Sequence, residues 1–173
     1  LFQQDFLIGS DDHGYYAVAR GNETQQFHAA TAEVTINAAI RALGVHGGTV
    51  GLYPGRFDLS ASVEIDRSSV TLAGANAAGD LFFTSMKNNT QGFENKWASI
   101  LVATGDFDAV RIGFAARGEA QPLVFGVAVH NLGISGTASE QPIARDAPVP
   151  LGAGIHVREC DTIDIQRIQV RRK

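Results

Sequence analysis

The stretch GIHVRECDTIDIQRIQV, residues 154 to 170, carries its apolar residues in pairs one residue apart: Ile155 and Val157, Ile163 and Ile165, Ile168 and Val170. Alternation with period two marks strands that bury one face. The polar breaks between the pairs are too short for a helix. A chain that bends through two or three polar residues from each short strand into the next winds as a coil. Equivalent strands of successive coils then stack in parallel, with Val, Ile and Leu in apolar ladders inside.

The same grouping recurs upstream. First strands fall at Val63 to Ile65, Val110 to Ile112 and Ile155 to Val157. Second strands fall near Val70 to Leu72, Val127 to Val129 and Ile163 to Ile165, and third strands near Ile100 to Val102, Leu132 to Ile134 and Ile168 to Val170. The breaks His130-Asn131 and Gln166-Arg167 occupy matching places. About three coils result, and the Asn-Gly hairpin turns of a sandwich or barrel are missing. Stretches 75–98, 114–123 and 136–152 are too long for simple turns and read as binding or packing loops.

Ahead of the coils, Ile36, Ala39, Ile40 and Leu43 repeat at helical spacing. Glu33 suits the positive end of that dipole and Arg41 the negative end, and Gly44 is placed to stop the helix. Residues 1–30 read as a docked N-terminal arm, 31–46 as a capping helix and 47–173 as coils.

A chain of 173 residues, 45% hydrophobic and 18% charged, has the length and composition of one globular domain. A net charge of −4 excludes the basic footprint of a nucleic-acid binder. No apolar run approaches a membrane span. The single cysteine, Cys160, cannot pair internally. No cofactor motif or metal-ligand spacing is present.

Residues 32 to 75, AEVTINAAIRALGVHGGTVGLYPGRFDLSASVEIDRSSVTLAGA, resemble the N-terminal segment of the pectate lyase superfamily. The matching features are the amphipathic helix Ile36 to Leu43, Gly47-Gly48 leading into a strand, the Pro54-Gly55 turn and Leu72-Ala73-Gly74 closing the first coil. About a quarter of the chain carries the resemblance. It implies an all-β fold, a right-handed single-stranded parallel β-helix capped by that helix. It also implies an extracellular, virion or cell-surface setting and a polysaccharide or glycan partner, with no nucleic acid or membrane. The resembled proteins include lyases, hydrolases, epimerases and non-catalytic tailspikes, so fold follows more closely than activity.

In the coil alignment the outward residues at the centres of the first strands are Glu64, Arg111 and His156, which stack into a column, with Arg158 beside His156. The resemblance implies a sugar chain lying along this face between loop walls. Uronate β-elimination needs a base for the C5 proton and a cation for the carboxylate. Arg111, His156 and Arg158 are the candidates for those roles. Glu64, Lys96, Trp97, Arg117 and Arg145 are candidate substrate contacts, and Tyr53 and Phe93 are further stacking faces. Hydrolysis would need two carboxylates; Glu64 shows no companion, and Glu159 and Asp161 read as turn residues. A column of Glu, Arg and His is also the composition of a solvated ion-pair ladder.

After Val170 only Arg171, Arg172 and Lys173 remain, and no second cap is visible. The expectation is a coil whose edge is covered by a further part of the same β-helix or by a homo-oligomer such as a trimer. The non-catalytic alternative is a glycan-binding or scaffold module of the tailspike or adhesin kind.

Overall fold

A computed structural model describes residues 5–22, 24–76, 98–114, 123–136 and 154–171. The described chain is mostly β, with parallel strands stacked in two sheets and one helix. Its elements are β1 (Phe6–Asp11), β2 (Gly14–Ala19), β3 (Gln25–Ala29), α1 (Ala32–Ala42), β4 (Gly48–Leu52), β5 (Gly55–Leu59), β6 (Val63–Ile65) and β7 (Val70–Gly74). They continue with β8 (Ser99–Ala103), β9 (Val110–Ile112), β10 (Val124–Gly136), β11 (Ile155–Val157) and β12 (Cys160–Arg171). The helix is too short to cross a membrane.

From β6 onward the chain alternates between the sheets. The smaller one stacks β6, β9 and β11 in parallel, with Glu64 beside Arg111 and Arg111 beside His156. In the larger one β4, β7, the first half of β10 and the first half of β12 stack in parallel, and β5, β8 and the second halves of β10 and β12 do the same. The first- and second-strand alignments read from the sequence match these registers. The third slips by one, because Ile100 lies beside Gly133 rather than Leu132. All five residues of β8 are buried, so alternation gives no cue there, and the inward contact is set by Leu101 between Phe57 and Ile134.

Two segments differ from the sequence reading by whole strands. β4 is the strand expected after Gly47-Gly48, but β5 follows it at GRFDL, where the sequence reading places no strand, and the two form a layer ahead of β6. The N-terminal arm is an antiparallel three-strand meander joined to the stack through β1 and β4. Asp11-Asp12-His13-Gly14 is its first hairpin turn, in which the His13 amide donates to Asp11 Oδ1 at 2.8 Å. Asp161, expected in a turn, lies within β12.

One corner repeats in every layer. Gly47 and Ser69 immediately precede β4 and β7, and Gly126 and Thr162 hold the matching places inside β10 and β12, with φ of 73°, 59°, 63° and 62°. A second corner does the same at Asn131 and Arg167, with φ of 56° and 52°. The left-handed conformation costs a non-glycine residue about 1–2 kcal/mol. At Ser69 it persists because the residue's own amide and carbonyl are both committed to neighbouring strands. The Gly48 amide donates to the Ser69 carbonyl at 2.9 Å, and the Ser69 amide to the Phe125 carbonyl at 2.7 Å.

Apolar ladders fill the space between the sheets. Val50, Leu72, Val129 and Ile165 form one; Phe57, Leu101, Ile134 and Val170 another; Val63, Val110 and Ile155 a third. Members in the earlier layers belong to one buried cluster. In the last layer the ladder ends emerge: Val157 is 36%, Ile165 43% and Val170 55% exposed.

At the other end lies α1. Ile36, Ala39 and Ile40 are buried against the first layer, and Arg67 donates to the carbonyls of Arg41 and Leu43 at the helix end. Asn37 caps the edge strand directly. Its Oδ1 accepts from the Glu64 amide at 2.8 Å and its Nδ2 donates to the Ser62 carbonyl at 3.1 Å, so the unpaired backbone of β6 is satisfied from the helix.

Glu33 anchors α1 to the next turn. Its carboxylate accepts from the Thr31 hydroxyl at 2.7 Å, the Ser60 hydroxyl at 2.6 Å and the Ser60 amide at 3.1 Å. Burial works against the charge. The hydrogen bonds from Ser60, Thr31 and the backbone outweigh it and hold the carboxyl below the usual glutamate range. A depressed folded-state value stabilises above the unfolded glutamate value of about 4.3, and that stability is lost as pH falls through the folded value. Glu33→Gln is therefore expected to destabilise by about 2 kcal/mol at neutral pH. The gap between wild type and variant should narrow below about pH 4.3. Urea unfolding at several pH values checks this, and a gap that widens on acidification would contradict it.

Candidate functional site

The outer face of the smaller sheet presents Glu64, Arg111 and His156 from the central positions of β6, β9 and β11. Three-residue strands with only the middle residue outward place one functional side chain per layer, because successive side chains alternate between faces. Arg158 follows β11, where its amide donates to the Ile112 carbonyl at 2.9 Å.

The column is two carboxylate-linked pairs. Arg111 Nη1 donates to Glu64 Oε1 at 3.0 Å. His156 Nδ1 lies 2.9 Å from Asp108 Oδ2; the tautomer with its hydrogen on Nδ1 satisfies that carboxylate and leaves Nε2 as the proton-accepting nitrogen. Asp108 is largely buried, at 13% side-chain exposure, and His156 is open, at 49%. The carboxylate is therefore the fixed partner and the imidazole the group a ligand meets.

Phe114 joins the two pairs. The Arg111 guanidinium carbon stands 4.1 Å from its ring centroid, the His156 ring packs edge-on at 4.7 Å, and the Arg158 guanidinium carbon is 5.8 Å away. The ring attracts both guanidinium groups and so helps to hold them beside the imidazole. Phe114 is itself buried, so it serves as a platform for the cations and offers no stacking face to a sugar. Gly113 makes its position possible: φ is 73°, its amide donates to the Ile65 carbonyl at 2.9 Å, and a Cβ there would stand 2.7 Å from the Glu159 carbonyl oxygen.

Burial raises the Glu64 carboxyl above its ordinary range; Arg111 opposes this, and Asp66 and Asp108 push it further up. Glu64 thus takes up a proton more readily than an ordinary glutamate, and doing so releases Arg111 for another anion. Glu64 also has acidic company that its sequence position does not reveal, in Asp66 and Asp108.

Of the residues singled out from the sequence, Glu64, Arg111, His156 and Arg158 converge. Lys96, Trp97, Arg117 and Arg145, with Phe93, lie outside the described residues. Tyr53 follows β4 in the larger sheet and does not join the column. Asp108 and Phe114 were not anticipated. Each sits two residues outside β9, and only knowing where that three-residue strand begins and ends would place them beside Arg111.

Among the described residues, no group of three or more His, Cys, Asp or Glu side chains comes together as metal ligands. What the face offers is one hydrogen-bonded imidazole, two guanidinium groups and a carboxylate that protonates early. Comparison of the chain with family models, curated proteins and solved structures returns no match.

Proposed function

We propose that the chain is a right-handed parallel β-helix of the kind that the pectate lyase resemblance implies, acting outside the cell or on a surface. In this reading it binds an acidic polysaccharide along the outer face of the smaller sheet and cleaves it by β-elimination. The observation that carries the reading is the Asp108–His156 pair beside Arg111 and Arg158 on the Phe114 ring. The guanidinium groups draw charge from a uronate carboxylate, which acidifies the C5 proton. His156 Nε2 takes that proton. The C5–H electron pair becomes the C4–C5 double bond, and the C4–O bond breaks with its electrons leaving on the glycosidic oxygen, which takes a proton from solvent.

A second reading has its own support. The Glu64–Arg111 contact at 3.0 Å already neutralises one guanidinium, as in a structural ion-pair ladder. On that reading the face belongs to a non-catalytic glycan-binding or scaffold module.

The deciding experiment incubates the full chain with polyuronates and follows the ultraviolet absorbance of the unsaturated product end, with binding measured in parallel. Absorbance that grows with time supports the lyase. Binding without absorbance favours the module, and neither binding nor turnover on any polyuronate rejects the lyase.

A further inference from the structure

Among the described residues, β12 pairs with β10 alone and β11 with β9 alone, and exposure of ladder residues is confined to this layer. We infer that the open layer is a self-docking edge, where a second copy of the chain pairs its β12 antiparallel to the first about a two-fold axis through the Gln166–Arg167 corner. Such docking is independent of what the outer face binds.

The first ground is the symmetry of the corner. Ile163 and Ile165 precede it and Ile168 and Val170 follow it, and their register partners Val127, Val129, Leu132 and Ile134 are all buried. A two-fold axis bisecting the bend sets Ile163 opposite Val170 of the second copy and Ile165 opposite Ile168. These four apolar residues of β12 then meet one another and leave water. The same operation pairs the free edge of a strand of 12 residues with its own copy.

The second ground is charge. Asp161 and Asp164 stand before the corner and Arg167 after it. Antiparallel pairing lays the acidic half of one copy on the basic half of the other. Parallel pairing would lay like on like, which is unfavourable for residues directly opposite in a sheet. At the far end α1 packs against the first layer and Asn37 occupies the β6 edge, which disfavours head-to-tail stacking there. An isologous two-fold contact closes on itself, so assembly stops at two.

The test is sedimentation equilibrium of the full chain over a range of protein concentration and salt. A reversible dimer, weakened by salt and with nothing larger, is expected. Ile165→Asp should give monomer at every concentration. Arg167→Glu should weaken the dimer roughly tenfold, and adding Asp164→Lys should restore it, a rescue that a folding defect cannot mimic. Should Ile165→Asp fail to fold, the charge pair decides. A monomer throughout, a trimer, coverage of β12 by a further part of the same chain, or an assembly indifferent to the charge exchange would each overturn the inference.

Discussion

Replacing Gly47 by alanine is expected to lower stability by roughly 4 kcal/mol, combining left-handed strain with overpacking. An alanine Cβ at this corner would run into the Ser69 carbonyl, with the Ser69 Cβ 2.6 Å away. The neighbouring backbone has little freedom to retreat, because Ser69 donates and accepts hydrogen bonds to the layers on both sides. Two other glycines separate the causes. Gly126 has φ of 63° and open space where a side chain would project, with only Ser69 Oγ at 4.0 Å, so alanine there should cost about 1–2 kcal/mol from strain alone. Gly44 has nothing within 4 Å, and alanine there should stay within about 0.5 kcal/mol of wild type. Urea unfolding of the three variants reads the series. Equal losses at Gly47 and Gly126 would mean that the layers are not packed as tightly as the stacked corners require.

The second large effect concerns chemistry. If His156 is the base, His156→Ala should lower the elimination rate by about 10²- to 10⁴-fold while leaving polyuronate binding within a few fold. Asp108→Asn should give a smaller loss, since it removes the acceptor that fixes the imidazole tautomer while leaving the ring in place. His130→Ala is the control. That imidazole lies 3.2 Å from Asp164 in the larger sheet, away from the column, and its removal should leave turnover unchanged. Equal losses at His130 and His156 would point to general destabilisation and remove His156 from the reaction.

Much of this arrangement is legible in the sequence, for identifiable reasons. Strands as short as VEI, VRI and IHV show only one outward residue each, so aligning them by their flanking Val and Ile brings Glu64, Arg111 and His156 into one column without further assumption. The helix is equally legible, since its buried face repeats at helical spacing. The corners are not. Ser69, Thr162 and Arg167 adopt left-handed backbone conformations that their residue types disfavour, and at Ser69 hydrogen bonds to the neighbouring strands hold it there. β5 is hidden by Pro54-Gly55, which reads as a turn although Gly55 begins a strand. The meander is hidden because its strands alternate weakly, and its hairpin uses Asp12-His13 where Asn-Gly would announce a turn. Asp108 and Phe114 are invisible for another reason: their role depends on which way the chain leaves a three-residue strand, which is decided by Gly113 and by contacts with the next layer.

The lyase reading requires an acidic glycan to sit on the outer face of the smaller sheet. A titration of isotope-labelled full chain with a uronic-acid oligosaccharide, observed by NMR at the histidine ring nitrogens and the arginine side chains, reads that contact residue by residue. Saturable shifts are expected at His156, Arg111 and Arg158, with His28 and His130 unmoved. Shifts centred on His28 or His130, or no saturable change at the column, would mean that the glycan binds elsewhere or not at all.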